Sequence, residues 1–275
     1  MEKVIDVSDN QGLINWAKAK ADGVVFVILR TVRGSGKADY QFANNADGCR
    51  ANGIGFDGYK YSYAKNESAS IKEAQQVIAL LQQYGCGSEV TVWWDMEDKS
   101  LRGLGKAQLT RNIRAAERVI RSAGYTFGVY CNQDWYDHVL DTSALADCIW
   151  WIAKYGRNDG TLNASPKGVD NLWGHQYTSC GRVDGINGYV DMNVLFDLSA
   201  PAESTEAHLP VLRKGSIGEA VKVLQSRLNA VGYTCGSVDG IFGIRTQTAV
   251  IAFQAEKGLV KDGIVGPKTW EALME

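Results

Sequence analysis

Hydrophobic and polar positions follow two alternating patterns through the first two hundred residues. Short runs rich in β-branched and aromatic residues predict strands at 4–8, 25–30, 56–63, 90–97, 127–131, 149–155, 172–178 and 189–196. Between the first five, apolar residues recur at helical spacing, most clearly in Glu73-Ala74-Val77-Ile78-Leu80-Leu81 and in Leu109-Ile113-Ala116-Ile120, the second closed by Gly124. Strand followed by helix implies a parallel sheet, and eight such strands suggest a closed barrel. After Tyr155 the pattern changes. Residues 156–171 are rich in Gly, Asn, Asp and Pro without an apolar period, and only 179–188 separates the last two strands. A connection that short predicts an antiparallel hairpin, because parallel strands need a crossover of about a dozen residues.

Residues 1–199 therefore read as one barrel domain, 200–209 as a linker of small and polar residues, and 210–275 as a second, small all-α domain. Inside the second domain Asp239-Gly240-Ile241-Phe242-Gly243 recurs 23 residues later as Asp262-Gly263-Ile264-Val265-Gly266, each copy a glycine-rich turn feeding a helix. The predicted fold class is α/β, a modified TIM-like barrel with a helical appendage.

Composition narrows the function. The chain has 275 residues, 45% of them hydrophobic, with 29 Lys and Arg against 31 Asp and Glu, a globular profile rather than a disordered one. The longest apolar run, Val24 to Leu29, is far short of the roughly 20 residues that cross a bilayer, so no membrane insertion is expected. Neither part has the basic excess that a phosphate backbone requires, which argues against nucleic acid. The start, Met1-Glu2-Lys3-Val4-Ile5-Asp6, runs directly into a strand without a secretion signal, so synthesis in the cytoplasm is expected. A monomer is expected as well. Six cysteines lie far apart with no C-x-x-C pair, and are expected to be mostly buried free thiols.

Candidate chemistry gathers on carboxylates. In Trp93-Trp94-Asp95-Met96-Glu97, strand alternation turns Asp95 and Glu97 to the same side. Asp6 lies toward the C-terminal end of the first strand, the rim where such barrels carry their sites, and Asp191 begins the last strand. Closing the barrel makes first and last strands neighbours, and an antiparallel last strand brings its beginning to that rim. Four acids should thus share one mouth. Such a cluster drives pKa values apart, leaving one acid protonated as a donor while others stay charged to stabilise positive charge, which is what glycosidic bond cleavage demands. Tyr59, Tyr61 and Tyr63 alternate onto one face and suit sugar surfaces, as do Trp93, Trp151 and Trp173 on other strands.

Three competing chemistries are weaker. A metal site lacks a D-x-D-x-D-G loop and any H-x-x-x-H spacing. Gly34-Ser35-Gly36-Lys37 resembles a phosphate loop, but Thr31 stands where its first glycine belongs and Ala38 follows the lysine. Cys131 with His138 or His175 could form the nucleophile pair of a peptidoglycan amidase or peptidase, with no local motif in support.

Asp6-Val7-Ser8 with Gln11-Gly12 and Trp16, then Asp95-Met96-Glu97, Trp151-Ile152-Ala153-Lys154-Tyr155, Gln176-Tyr177 and Val190-Asp191-Met192-Asn193 resemble, in order and spacing, the glycoside hydrolase family 25 lysozymes over about residues 1–198. The resemblance implies a barrel of five βα units followed by three strands, and an N-acetylmuramidase that cuts the β-1,4 bond between N-acetylmuramic acid and N-acetylglucosamine without a cofactor. It implies Glu97 as general acid/base, Asp95 as the carboxylate that orients the acetamido group or stabilises the developing cation, Asp6 and Asp191 as supporting acids, and Trp151 and Tyr177 beside the tyrosine row as substrate contacts. One departure is that His175 precedes Gln176-Tyr177 where the family places Trp, with Trp173 two residues earlier.

Residues 212–273 resemble the type 1 peptidoglycan-binding domain through Gly215-Ser216, Leu224-Gln225, Val238-Asp239-Gly240-Ile241-Phe242-Gly243, Phe253-Gln254 and Asp262-Gly263-Ile264-Val265-Gly266-Pro267. With no secretion signal, the pairing points to an endolysin of a phage or prophage, made in the host cytoplasm and acting on wall peptidoglycan, with a bacterial autolysin as the runner-up. A non-catalytic wall-binding protein is the alternative from another class, disfavoured by the intact Asp95-x-Glu97.

Overall fold

The computed structural model describes residues 2–196 and 212–274. Two compact units divide the chain, Met1–Ser199 and Ala200–Glu275; the expected linker 200–209 lies outside the described residues.

The first unit is a closed barrel in which every strand pairs with its sequence neighbours: β1 (Lys3–Val7), β2 (Val24–Arg30), β3 (Gly55–Tyr61), β4 (Thr91–Asp95), β5 (Thr126–Asn132), β6 (Ile149–Ala153), β7 (Leu172–Gly181) and β8 (Val190–Leu195). Pairing is parallel from β1 to β7, while β8 runs antiparallel to both β7 and β1. Helices α1 (Trp16–Ala21), α2 (Phe42–Ala51), α3 (Glu67–Gln83) and α4 (Lys106–Ser122) make the first four crossovers. The fifth is a π-helical turn, Trp135–Val139, with a 3-10 turn, Ser143–Leu145, and β6 reaches β7 through irregular chain. That loop is held by side chains in place of a helix. Asn158, at φ +52° in the left-handed region that asparagine tolerates, accepts from the Thr178 hydroxyl (2.9 Å) and the Ser179 amide (2.8 Å) of β7.

Helical stripes pack as the periodicity predicts. Leu109, Ile113, Ala116 and Ile120 of α4 and Ala74, Val77 and Leu81 of α3 are fully buried in the shell between helices and barrel. The barrel interior is a separate aromatic core of Val4, Ile28, Trp93, Tyr130 and Trp151 with Tyr59 and Trp173 packed against it. Trp93 fixes this layer, with its ring 6.0 Å from Trp151 and 4.2 Å from Trp173. Its indole lies over Gly128 of β5, where a Cβ would come within 2.3 Å of the ring, so the neighbouring strand must carry glycine at that level.

Among the described residues of the second unit, the helices α5 (Glu219–Ala230), α6 (Ile244–Glu256) and α7 (Pro267–Met274) pack around Leu224, Leu228, Phe242, Val250 and Phe253. The sequence repeat is a repeat of hydrogen bonds. Gln225 donates to Asp239 (2.8 Å), the Ile241 carbonyl and Thr246, and accepts from the Gly240 amide (2.9 Å). Gln254 does the same for Asp262 (3.0 Å), the Ile264 carbonyl, Thr269 and the Gly263 amide (3.0 Å). Each Asp-Gly-Ile turn is thus tied to a helix by one buried glutamine whose polar atoms are all used.

All six cysteines are free thiols, five of them buried and Cys180 partly so. Among the described residues no helix is long and apolar enough to cross a membrane.

Candidate active site

The C-terminal ends of the parallel strands form one rim, and the reversed β8 begins there. Asp6 of β1 is the direct cross-strand partner of Asp191, so two carboxyls face each other with their Cβ atoms roughly 5 Å apart. Asp95 ends β4, flanked in register by Tyr61 of β3 and Tyr130 of β5. Strand β4 stops at Asp95 instead of continuing to residue 97, so Glu97 stands two residues beyond it on the rim. All four acids line a single cavity of about 560 Å³.

Their environment raises the pKa of all four. Burial, then Glu97 and Asp6, push Asp95 well above the ordinary aspartate value, against the Lys60 cation behind it. Its Oδ1 is buried without a hydrogen-bond partner, leaving an acceptor or proton for a ligand to use. Burial and then Asp191 raise Asp6, while hydrogen bonds from Asn193 and Gln176 pull the other way. Asp191 is pushed up to about 6 by burial. Glu97, half-buried, is raised by burial, then by Asp191 and Asp98. Asp98 itself stays low: burial raises it, but hydrogen bonds from Ser100 and Tyr61 prevail, so a standing charge sits beside Glu97.

Asp6 is locked in place by a web in which Gln176, Asn193, Tyr130 and Tyr155 join Trp151, and of these Trp151 alone was expected in the site. Gln176 Nε2 (2.9 Å) and Asn193 Nδ2 (2.8 Å) both donate to Asp6 Oδ2. Asn193 in turn accepts from the Trp151 indole (2.8 Å), and Gln176 from the hydroxyls of Tyr130 (2.8 Å) and Tyr155. The donor-only Trp151 indole fixes which way the Asn193 amide points, so that its Nδ2 is the end turned to Asp6. Arg30, at the end of β2, brings a cation to the same mouth, held by Asp39 (2.7 Å) and Asp9.

The expected sugar contacts divide. Tyr59, Tyr61, Tyr63 and Trp151 all line the cavity. Tyr61 and Tyr63 stack with ring centroids 4.9 Å apart, and the false phosphate loop supplies their backing, because Gly34 approaches Tyr63 so closely that a Cβ would meet its ring at 2.8 Å. Tyr177 is a correction. It points out of the barrel and packs against the shell under the helices, next to His175. A register shift between Trp150 and Trp151, opposite Leu172 and Gly174, resets the alternation so that Gln176 points inward and Tyr177 outward. His175 accordingly faces the shell as well, its ring bonded to the Lys154 carbonyl (2.8 Å), so its departure from the family pattern does not touch the cavity. Cys131 is buried in the same shell with its thiol pushed well up by burial, and His138 is exposed on the π turn; no nucleophile pair forms.

Comparison with known proteins identifies the family of the barrel. The model of glycosyl hydrolases family 25 covers residues 5–186. The chain belongs to that family. A peptidoglycan binding domain model covers residues 217–273. The autolytic lysozyme of Clostridium acetobutylicum is 28% identical over 97% of this chain and 77% of its own length. Among solved structures, the catalytic domain of endolysin ply40 from a Listeria monocytogenes phage is 26% identical with a TM-score of 0.61, covering 72% of this chain and 94% of that one. The modular autolysin LytC of Streptococcus pneumoniae is 27% identical with a TM-score of 0.62 over 71% of this chain, which spans about half of LytC, 46%. This family 25 protein is a glycoside hydrolase of the lysozyme type, and peptidoglycan is its substrate.

Proposed function

We propose that this family 25 lysozyme cleaves the β-1,4 bond between N-acetylmuramic acid and N-acetylglucosamine, with Glu97 as general acid/base and Asp95, Asp6 and Asp191 supporting the reaction. The observation that carries this reading is the meeting of four carboxyls in one cavity, with Glu97 raised and half-buried on its rim. Glu97 passes its proton to the leaving O4 as the C1–O4 bond breaks and the electron pair departs with oxygen. Positive charge grows on C1 and the ring oxygen, where neighbouring carboxylates stabilise it, and water bonds to C1 as it returns a proton to the Glu97 carboxylate. The orphaned Asp95 Oδ1 suits the N–H of the substrate acetamido group. Tyr61, Tyr63 and Trp151 offer ring faces to the sugars.

The pH dependence tests the assignment. Because Glu97 is raised, it remains a proton donor above the ordinary glutamate value of 4.5, and the alkaline limb of the rate should fall above that value. The acid limb should appear where the supporting carboxylates take up protons, and Asp191, near 6, places that loss in the mildly acidic range. The profile of kcat/KM on a soluble muroglycan should be a bell; a rate flat from mildly acidic to clearly alkaline pH would remove Glu97 from its role.

Residues 1–199 are proposed to act as a catalytic domain and 210–275 as its tether to the wall. All eight strands and all four acids belong to the first unit. A chain ending at Ser199 should therefore fold and still cleave soluble oligosaccharides, while losing activity mainly on whole walls, where tethering raises local concentration. Full activity of the truncated chain on whole walls would make the second domain a passenger.

A further inference from the structure

The end of β2 and the loop after it bring two arginines to the mouth of the barrel, and their surroundings differ. Arg30 is neutralised, paired with Asp39 at 2.7 Å and with Asp9. Arg33 lines the same cavity as the four acids. Among the described residues no carboxylate pairs with it.

Arg33 is nonetheless held in place. Its Nε donates to the Ala38 carbonyl (3.0 Å), its amide donates to the Lys37 carbonyl (2.9 Å), and its own carbonyl accepts from the Gly36 amide (2.9 Å). The guanidinium carbon stands 3.6 Å from the centroid of the Tyr40 ring, the separation of two planes in contact. The bridge between Val32 and Ala38 closes the loop, and Gly34 seats it on the Tyr63 ring. A guanidinium stacked in this way uses its face on the ring and keeps its in-plane Nη donors. The loop that resembles a phosphate motif thus presents an oriented cation with donors to spare.

The glycan backbone offers such a cation no counter-charge, because hydroxyls and acetamido groups are neutral. Peptidoglycan differs from an uncharged β-1,4 glycan at O3 of N-acetylmuramic acid. The lactyl group there ends in a carboxylate or, where a stem peptide is attached, leads to the carboxylates of that peptide.

We propose that Arg33 is a specificity-determining residue that pairs with a carboxylate of the O3 substituent of N-acetylmuramic acid, and that Tyr40 is the positioning residue that fixes its plane. This rests on the muramidase reading. Tyr40 is 70% exposed, so its ring serves the arginine and not the core. The contact lies away from the reacting atoms and is as strong in the ground state as in the transition state, so it should appear in KM and leave kcat alone.

Three soluble glycans of equal length, alternating N-acetylglucosamine and N-acetylmuramic acid, test this with the full chain. One carries free lactyl carboxylates, one has those carboxyls converted to methylamides, and one carries stem peptides. The wild type should cut a charged glycan with kcat/KM about tenfold above that of the neutral one, the size of one charge-assisted hydrogen bond. A gain on the first glycan assigns the contact to the lactyl carboxylate, and a gain on the third alone assigns it to the peptide. Arg33→Gln should bring the charged-to-neutral ratio close to one, Arg33→Lys should restore part of it, and Tyr40→Ala should reduce it. A wild type without preference for charge, or an Arg33→Gln protein that keeps the preference, would overturn the inference. So would an equal loss on all three glycans, which is the mark of a structural role. The new reducing end is read in the same digests: ends in muramic acid with a wild-type ratio of one sink this inference alone, whereas ends in N-acetylglucosamine sink the muramidase reading and the inference with it.

Discussion

Glu97→Gln should abolish wall lysis, lowering turnover by about 10² to 10⁴-fold, the span that a positioned proton donor contributes. The substitution keeps the length and shape of the side chain and removes only its acidity. Glu97 lies on the rim beyond β4, half-buried, and is absent from both the Asp6 web and the interior aromatic layer. Folding and sedimentation with walls should therefore be unchanged. Circular dichroism and a wall pull-down establish the folded state, and reducing-sugar release from purified peptidoglycan measures the loss. Retention of more than a few per cent of activity in a folded variant would assign the proton to another group.

The second large effect is expected at Asp95, where activity and stability should move in opposite directions. Asp95→Asn removes a carboxylate from beside the developing cation and should lower kcat on the order of 10²-fold, comparable to losing one preorganised stabilising group. Stability should rise at neutral pH. The Asp95 pKa is raised in the folded chain by burial first and then by Glu97 and Asp6, so the native state binds its proton more tightly than the unfolded chain does. A group raised in this way loses stability for the fold as pH climbs through its folded value, and asparagine has no such loss. The urea midpoint of Asp95→Asn should exceed that of the wild type near pH 7, and the difference should close on acidification, where the wild-type residue is protonated as well. Equal midpoints across pH would mean that Asp95 carries no desolvation penalty.

The carboxylates were legible because a local rule points to each. Barrel closure with a short hairpin brings Asp191 opposite Asp6, and Asp95 closes β4 on the rim; Glu97 lines the same cavity from two residues beyond the strand end, where the alternation that pointed to it no longer applies. The web around Asp6 was not legible from spacing alone, since Gln176, Asn193, Trp151 and Tyr130 meet only through the relative register of four strands. Tyr177 shows how sensitive that register is: one irregularity opposite Trp150 and Trp151 places it outside the barrel and Gln176 inside. The backing of Tyr63 by Gly34 was hidden for another reason. Residues 34–37 read as a failed phosphate motif, and their contact with Tyr63 depends on the antiparallel bridge between Val32 and Ala38, which folds this loop so that Gly34 packs against the ring.

The bond that is cut is the central claim, and the identity of the new reducing end measures it most directly. Purified peptidoglycan is digested with the full chain, reduced with borohydride, hydrolysed and analysed by mass spectrometry. Muramitol should appear in step with lysis, and the Glu97→Gln protein should yield none. Glucosaminitol in its place would make the enzyme a glucosaminidase, and lysis without any new reducing end would contradict glycoside cleavage at this site.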